Sequence, residues 1–428
     1  MKSLQTTQKE KQKVLICSDS FKRISGLSYV ALSISKFFIQ RDYDVAYCVL
    51  TGEDCQVQDL RDKGHFFYEN LFDSKIYNCQ NKKDGSLDTF NNCIKEYKPN
   101  IIVSIHDLWQ FENIMVSAYR GTYTWISYCP IESKFYSEYI VNPTKTNNNI
   151  RKSIGTLCED MNYAIAYNNA GKAQLDRFKA KTTEALPNGL DDFYFEDSEI
   201  DRQRIFKGVA KPDDFIFMSV GHNFNRKGLD YVLDAFNTFL QIVKDPKKYK
   251  LYLHGFLDTV DAGTDIKSMI YEMKLSDQII MSQGTNQITK RELYRRYRCC
   301  DCYIGLPLAE GFGYGFMEAM LNGLPIIYHN VGGISQYIKD YGFPVSSVAI
   351  MRPNNYYCDW KIPNVGEAVQ RMMYVSHQTD NSKIKERNIE EGKKYTWDNV
   401  YKQLESIVDF DNIKSDSIFN RLSIKRMA

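Results

Sequence analysis

The sequence predicts an α/β chain folded as two doubly wound lobes facing each other across a cleft, and three observations carry that prediction. Short apolar runs alternate with helical stripes along most of the chain, the pattern of parallel strands covered by helices. The alternation breaks at Leu186-Pro187-Asn188-Gly189-Leu190-Asp191, where the residues suit a turn, and then resumes. A length of 428 residues also exceeds what one ordinary core serves and suits two domains of similar size.

The elements follow in order. Residues 1–13 are polar, rich in Lys and Gln and aperiodic, as expected of a disordered lead-in. Residues 14–17 are a short apolar run. Gly26 then opens a stretch with Leu27, Val30, Ala31, Ile34, Phe37 and Phe38 at helical spacing. Residues 45–50 read as a buried strand, 87–97 as a helix ahead of Pro99, and 101–105 and 124–128 as further strands. A strand at 162–167 and a helix at 169–178 complete the first series. Beyond the turn a charged stretch, 192–214, leads into the second: a strand at 215–220, a helix at 229–243, then strands at 250–254, 278–282, 302–305 and 325–328. The lobes are therefore placed at 14–191 and 192–395. No short internal period is visible, which excludes solenoids and propellers.

Composition narrows the classes of function. Charged residues are 25% of the chain and the formal net charge is +2, so no global field draws in nucleic acid. No run approaches the roughly 20 apolar residues of a membrane-spanning helix, which leaves peripheral membrane contact at most. Eleven scattered cysteines, with no cleavable apolar leader after Met1, read as reduced thiols in a cytoplasmic protein. Cys299, Cys300 and Cys302 lack the partners that would complete a zinc set and are assigned to core packing. Asp42-Tyr43-Asp44 is spelled like a metal-holding Asp-x-Asp but falls between a helix and a strand, and reads as a turn.

The chemistry-bearing stretch runs from Leu306 to Met320, between a predicted strand and a short helix. It contains Glu310, Gly311, Phe312, Gly313, Tyr314, Gly315 and Glu318. Glycines at alternate positions bare the backbone where a strand hands over to a helix, so amides and the positive helix end face an anion. That geometry suits a diphosphate. Two carboxylates beside it would repel phosphate, so their use is to accept hydrogen bonds from pairs of hydroxyls. A nucleotide sugar has hydroxyls on both flanks of its diphosphate. A second stretch, Ser219-Val220-Gly221-His222-Asn223-Phe224-Asn225-Arg226-Lys227-Gly228, offers Arg226 and Lys227 to neutralise the charge left on a departing nucleotide.

On these residues the chain resembles retaining glycosyltransferases of the GT-B fold, built of two Rossmann-like domains, and within them family 4, the group 1 glycosyltransferases. Their Glu-x7-Glu signature reads Glu310 to Glu318 here. Glu-Gly-Phe-Gly at 310–313, Glu-Ala-Met at 318–320, Gly-Leu-Pro at 323–325 and Val-Gly-Gly at 331–333 follow the family's order. The resemblance implies that Glu310 contacts the transferred sugar, Glu318 the ribose hydroxyls, and the amides around Gly311, Phe312, Gly313 and Tyr314 the phosphates and sugar. It also places Gly26, in Ser25-Gly26-Leu27, at the family's glycine-rich loop, and His222 where an arginine is usual, with Arg226 as substitute. Residues 396–428 would cross back to the first lobe, and lobe closure on donor binding would follow. The implied reaction is transfer of a hexose from a UDP- or GDP-sugar to a glycan, lipid or protein hydroxyl, with no cofactor and no metal.

Strand ends place His106 and Asp107, the first catalytic candidates beside Glu310, at the cleft, together with Tyr128, Cys129 and Glu132. Tyr136 and Tyr139 are candidates for an acceptor groove. A dehydrogenase is disfavoured because Gly-x-Gly-x-x-Gly is absent after the first strand. Two alternatives remain: a catalytically inactive nucleotide-sugar-binding protein, since Pro307, His222 and Gln336 replace family residues, and a sugar-nucleotide epimerase of the same fold.

Overall fold

The structure, a computed structural model, describes residues 11–22, 25–57, 74–80, 86–136, 139–140, 152–195, 200–258, 263–283, 288–353, 358–378 and 380–413. Most of the lead-in and residues 414–428 lie outside them, as does the side chain of Tyr139.

The amino-terminal lobe is a parallel sheet of seven strands. They are β1 (Lys13–Asp19), β2 (Asp44–Thr51), β3 (Ile76–Asn78), β4 (Ile101–Ser104) and β5 (Thr124–Cys129), then β8 (Tyr163–Ala166) and β9 (Thr183–Ala185); a small antiparallel pair, β6 (Tyr139–Ile140) and β7 (Lys152–Ser153), stands between. The sheet order is β3-β2-β1-β4-β5-β8-β9. Val14, Leu15, Ile16 and Cys17 of β1 are fully buried, because helices cover both faces of a parallel sheet and leave no polar side. The helix Gly26–Ile39 starts at Ser25, whose hydroxyl caps the amides of Leu27 and Ser28 in a capping box with Ser28.

The carboxy-terminal lobe repeats the plan with β10 (Phe215–Val220), β11 (Tyr249–Gly255), β12 (Ile279–Gln283), β13 (Cys302–Gly305), β14 (Ile326–His329) and β15 (Phe343–Val345), ordered β12-β11-β10-β13-β14-β15. An antiparallel hairpin, β16 (Ser347–Met351) with β17 (Trp360–Pro363), stands apart from that sheet. In each lobe the strand order reverses once, between β1 and β4 and between β10 and β13. Loops at such a reversal part to opposite faces and leave a crevice at the carboxyl ends of the strands.

The helix Trp397–Ile407 lies on the amino-terminal lobe. Trp397 Nε1 donates to Tyr29 Oη (3.2 Å) and Tyr401 Oη to the Ser33 carbonyl (2.7 Å). Gly189 permits this crossing, since a Cβ there would sit 2.6 Å from the Trp397 backbone. Asp42 adopts φ 63° in the turn before β2 with its carboxylate paired to Lys11, so Asp42-Tyr43-Asp44 is the helix-to-strand turn and the first residue of the strand. None of the eleven cysteines forms a disulfide and all are buried, including Cys299, Cys300 and Cys302. Among the described residues there is no cluster of ligating side chains able to hold a metal ion, and no helix is long and apolar enough to cross a membrane.

Candidate active site between the lobes

The two crevices face each other across a cavity of about 600 Å³. The loop after β10 and the loop after β13 form its carboxy-terminal wall. Gly228 closes the first loop at φ 63°, where a Cβ would fall 2.1 Å from the Leu306 carbonyl oxygen, so only glycine brings the two loops this close. Gly313, at φ 79°, starts the helix Tyr314–Leu321 that carries Glu318.

Glu310 and Glu318 both line the cavity and are buried. Glu310 Oε2 accepts from Lys227 Nζ and, at 3.4 Å, from Arg226 Nη1. Burial works against the Glu310 charge, but the attraction of Lys227 and Arg226 outweighs it and holds the carboxyl below its ordinary range. Glu318 is gripped on both oxygens: Oε1 accepts from Tyr194 Oη (2.7 Å) and Oε2 from Tyr297 Oη (2.9 Å). Each carboxylate oxygen keeps a second lone pair, so Glu318 is oriented and still able to accept from a ligand diol. These tyrosines come from the short 3-10 helix Asp192–Phe195 and the helix Lys290–Arg298, neither of which a motif marks.

Arg226 is not a free cation. Its Nη1 donates to the Ala309 carbonyl (2.8 Å), and its Nη2 pairs with Glu132 Oε1 of the opposite lobe (2.9 Å). Lys227 is thus better placed than Arg226 to turn toward a phosphate. His222 accepts from the Phe256 amide through Nδ1 (3.3 Å); burial, aided by Lys227, pushes it down to about 4, so it is neutral. Gly26, Gly311, Phe312 and Tyr314 line the same cavity, with Tyr29 edge-on to Tyr314 at 5.1 Å.

The amino-terminal wall separates the two neighbouring candidates. His106 does not line the cavity. Its Nδ1 accepts from the Asp107 amide (2.8 Å), which leaves Nε2 protonated and donating to Thr51 Oγ1 (2.8 Å), and burial pushes it down to about 4. Asp107 does line it. Burial, then repulsion from Glu132, raise its carboxyl to about 7 against the pull of Arg226. Two further residues join the wall: Asp19 at the end of β1, which no sequence pattern singled out and which burial pushes up to about 6, and Asn188, which the sequence marks only as part of the interlobe turn. Tyr136 lies away from the cavity, with Oη on the Pro353 carbonyl (3.3 Å).

The lobes also meet through backbone. Asn168 Nδ2 donates to the Gly311 carbonyl (2.6 Å), and the Asn169 amide to Gln336 Oε1 (2.9 Å), so Gln336 serves as an interlobe acceptor.

Residues 201–356 match the family model of the glycosyl transferases group 1. The matched stretch lies in the carboxy-terminal lobe. It carries the Glu310, Glu318 and Lys227 constellation described above. The chain is 24% identical over 174 residues to an alpha-monoglucosyldiacylglycerol synthase of Streptococcus pneumoniae, covering 40% of this chain and 37% of that protein. It is 23% identical over 194 residues to an uncharacterised glycosyltransferase of Methanocaldococcus jannaschii, covering 45% of this chain and 44% of that one. The matches span less than half the length of these curated relatives. Solved structures align over far more of the chain. Sucrose-phosphate synthase from Thermosynechococcus elongatus superposes with a TM-score of 0.68 at 15% identity, over 92% of this chain and 98% of that one. The Anabaena protein HepE in complex with UDP-glucose gives 0.67 at 15% identity with the same coverage. The fold is GT-B, two Rossmann-like domains across a cleft.

Proposed function

We propose that the protein is a metal-independent, retaining glycosyltransferase that moves a hexose from a UDP- or GDP-sugar to a hydroxyl acceptor in the cytoplasm. The carrying observation is that Glu310, Glu318 and Lys227 line one interlobe cavity, with Glu318 held open to a diol by Tyr194 and Tyr297. HepE, a structural neighbour, was solved with UDP-glucose, which fits a donor site in this lobe.

In this reading the ribose hydroxyls donate to Glu318 and the diphosphate draws Lys227 Nζ away from Glu310. The freed Glu310 carboxylate then accepts from the sugar hydroxyls. As the bond between the anomeric carbon and the diphosphate oxygen breaks, Lys227 compensates the charge arriving on the leaving nucleotide. The acceptor hydroxyl attacks from the same face, its oxygen joins the anomeric carbon, and its proton passes to the departing phosphate. No protein nucleophile is needed. Asp107 is the amino-lobe group placed to orient the acceptor hydroxyl, whereas both ring nitrogens of His106 are engaged away from the cavity.

Thermal-shift screening against UDP-, GDP- and ADP-sugars identifies the donor. With that donor, Glu310→Ala is expected to lower turnover at least about a hundredfold while nucleotide binding stays within a few fold. Unchanged turnover would remove Glu310 from its assigned place, and activity lost on adding a chelator would remove metal independence. An epimerase would release an isomerised sugar nucleotide without acceptor, which mass spectrometry with chromatography separates from transfer.

A further inference from the structure

The amino-terminal wall of the cavity is chemically one-sided. Among the described residues, which do not include Arg23, this lobe contributes Asp19, Asp107 and Glu132 to the lining and no lysine, arginine or histidine. The one guanidinium that reaches across, Arg226, is already shared among Glu132, Glu310 and the Ala309 carbonyl.

Several polar atoms on the same wall have no hydrogen-bond partner in the protein. Asp19 Oδ2 accepts from Ser25 Oγ (2.6 Å), but Oδ1 has none. The buried hydroxyl of Tyr167 has none, although its ring is fixed edge-on to Tyr128 at 4.7 Å. Tyr128 Oη donates to Asn188 Oδ1 (2.6 Å), which fixes the amide and leaves Nδ2 as an unpartnered donor. Tyr167 and Asn188 are 5% and 1% exposed, so bulk solvent does not satisfy them. Asp107, Asp19 and Tyr128, the last bonded to Asn188, all act electrostatically on Tyr167, which groups these side chains on one wall. Tyr314 Oη, also unpartnered, approaches Tyr128 and Tyr167 from the other lobe.

An orphaned acceptor beside orphaned donors matches neighbouring hydroxyls, each of which both donates and accepts. A phosphate or carboxylate only accepts, and would meet Asp19 and Asp107 while the lysines of the opposite wall are engaged elsewhere, Lys227 with Glu310 and Lys290 with Asp191 (3.9 Å) and the Tyr29 ring. We propose that this wall is the acceptor subsite for an uncharged polyhydroxylated molecule, a sugar or glycoside, read by Asp19, Tyr167 and Asn188, and that its carboxylates exclude anionic acceptors such as sugar phosphates. The proposal rests on the glycosyl-transfer reading of the opposite wall and adds the acceptor's chemical class. Unpaired carboxylates acting against the wrong ligand are a common route to specificity.

The test uses the full chain saturated with UDP, or with GDP if that nucleotide binds instead, and ligand-observed NMR with a matched pair of probes, glucose and glucose 6-phosphate. Glucose is expected to bind at least about tenfold more tightly than its phosphate. Asp19→Asn, which keeps shape and removes charge, is expected to narrow that ratio to about threefold or less, and Tyr167→Phe to weaken glucose while leaving the phosphate unchanged. A general loss of structure would not move the two probes in opposite proportion. Equal or tighter binding of glucose 6-phosphate, or a ratio untouched by both variants, would overturn the proposal. So would nucleotide binding with no glucose binding, which leaves the donor site standing; failure of every nucleotide to bind would instead sink the donor reading itself.

Discussion

The ion pair between Glu132 and Arg226 is expected to give opposite results when broken from its two ends. Arg226 Nη2 stands 2.9 Å from Glu132 Oε1, with the two side chains 16% and 18% exposed. Replacing Arg226 with Met leaves Glu132 and Glu310 buried with one cation fewer and deprives the Ala309 carbonyl of its donor. Removing one partner of a buried pair in this way costs about 3–5 kcal/mol. Glu132 is different. Burial first, and then repulsion from Glu310, raise its carboxyl above the ordinary range in spite of Arg226 and Lys227, so its charge is costlier to hold in the fold than in the unfolded chain. Glu132→Gln keeps the shape and a hydrogen-bond acceptor while removing that burden, and Arg226 retains Glu310 as its counter-charge. The expected change at pH 7.5 is within about 1 kcal/mol of wild type, or stabilising. Urea unfolding followed by tryptophan fluorescence at pH 7.5 compares the midpoints. A Glu132→Gln loss as large as that of Arg226→Met would refute the reasoning, because it would mean the pair's attraction, and not the cost of burying its acid, dominates.

Three further outcomes follow from the same geometry. Asp107 titrates near 7 in the folded chain against 3.8 ordinarily, so the stability tied to its proton is complete below about 4 and is lost as pH rises through 7. Asp107→Asn removes that loss and should gain about 1–2 kcal/mol over wild type between pH 5 and pH 8, a figure reduced because its side chain is 29% exposed to the cavity; a difference that shrinks with pH would be the wrong sign. Tyr297→Phe takes one of the two donors from Glu318 and should weaken nucleotide binding by about fivefold to tenfold in calorimetry; unchanged affinity would show that Glu318 needs no such positioning. Gly333→Ala would put a Cβ 2.0 Å from the Gly311 carbonyl oxygen and 2.6 Å from Asn168 Nδ2, and the melting temperature should register a loss of about 1–3 kcal/mol.

What the sequence reveals of this molecule depends on burial. β1, β2, β4, β5 and β10 read as apolar runs because both faces are covered. β3, β9 and β15 escape notice: each is a three-residue edge strand, largely half-buried, with no run to recognise. β16 is exposed along its whole length, and its hairpin with β17 leaves little pattern either. In the site, Glu310 and Glu318 are legible because glycines and acids fall at telling intervals within one short stretch, and Lys227 because it stands in a second glycine-bounded loop between a strand and a helix. The Glu132–Arg226 pair spans two lobes, and Tyr194 and Tyr297 reach Glu318 from unrelated elements, so no local spacing reports them. His106 and Asp107 show the limit of strand-end reasoning. It locates the right loop, but adjacent side chains point opposite ways, and the local bonds to Thr51 and the Asp107 amide decide which one the cavity meets.

The most direct measurement is calorimetric titration of the sugar nucleotides into the wild-type chain and the Glu318→Ala variant. Saturable binding of one nucleotide per chain is expected, weakened at least about tenfold by the substitution, because in the proposed reading the ribose diol donates to Glu318. No affinity for any UDP-, GDP- or ADP-sugar, or an affinity indifferent to Glu318, would contradict it.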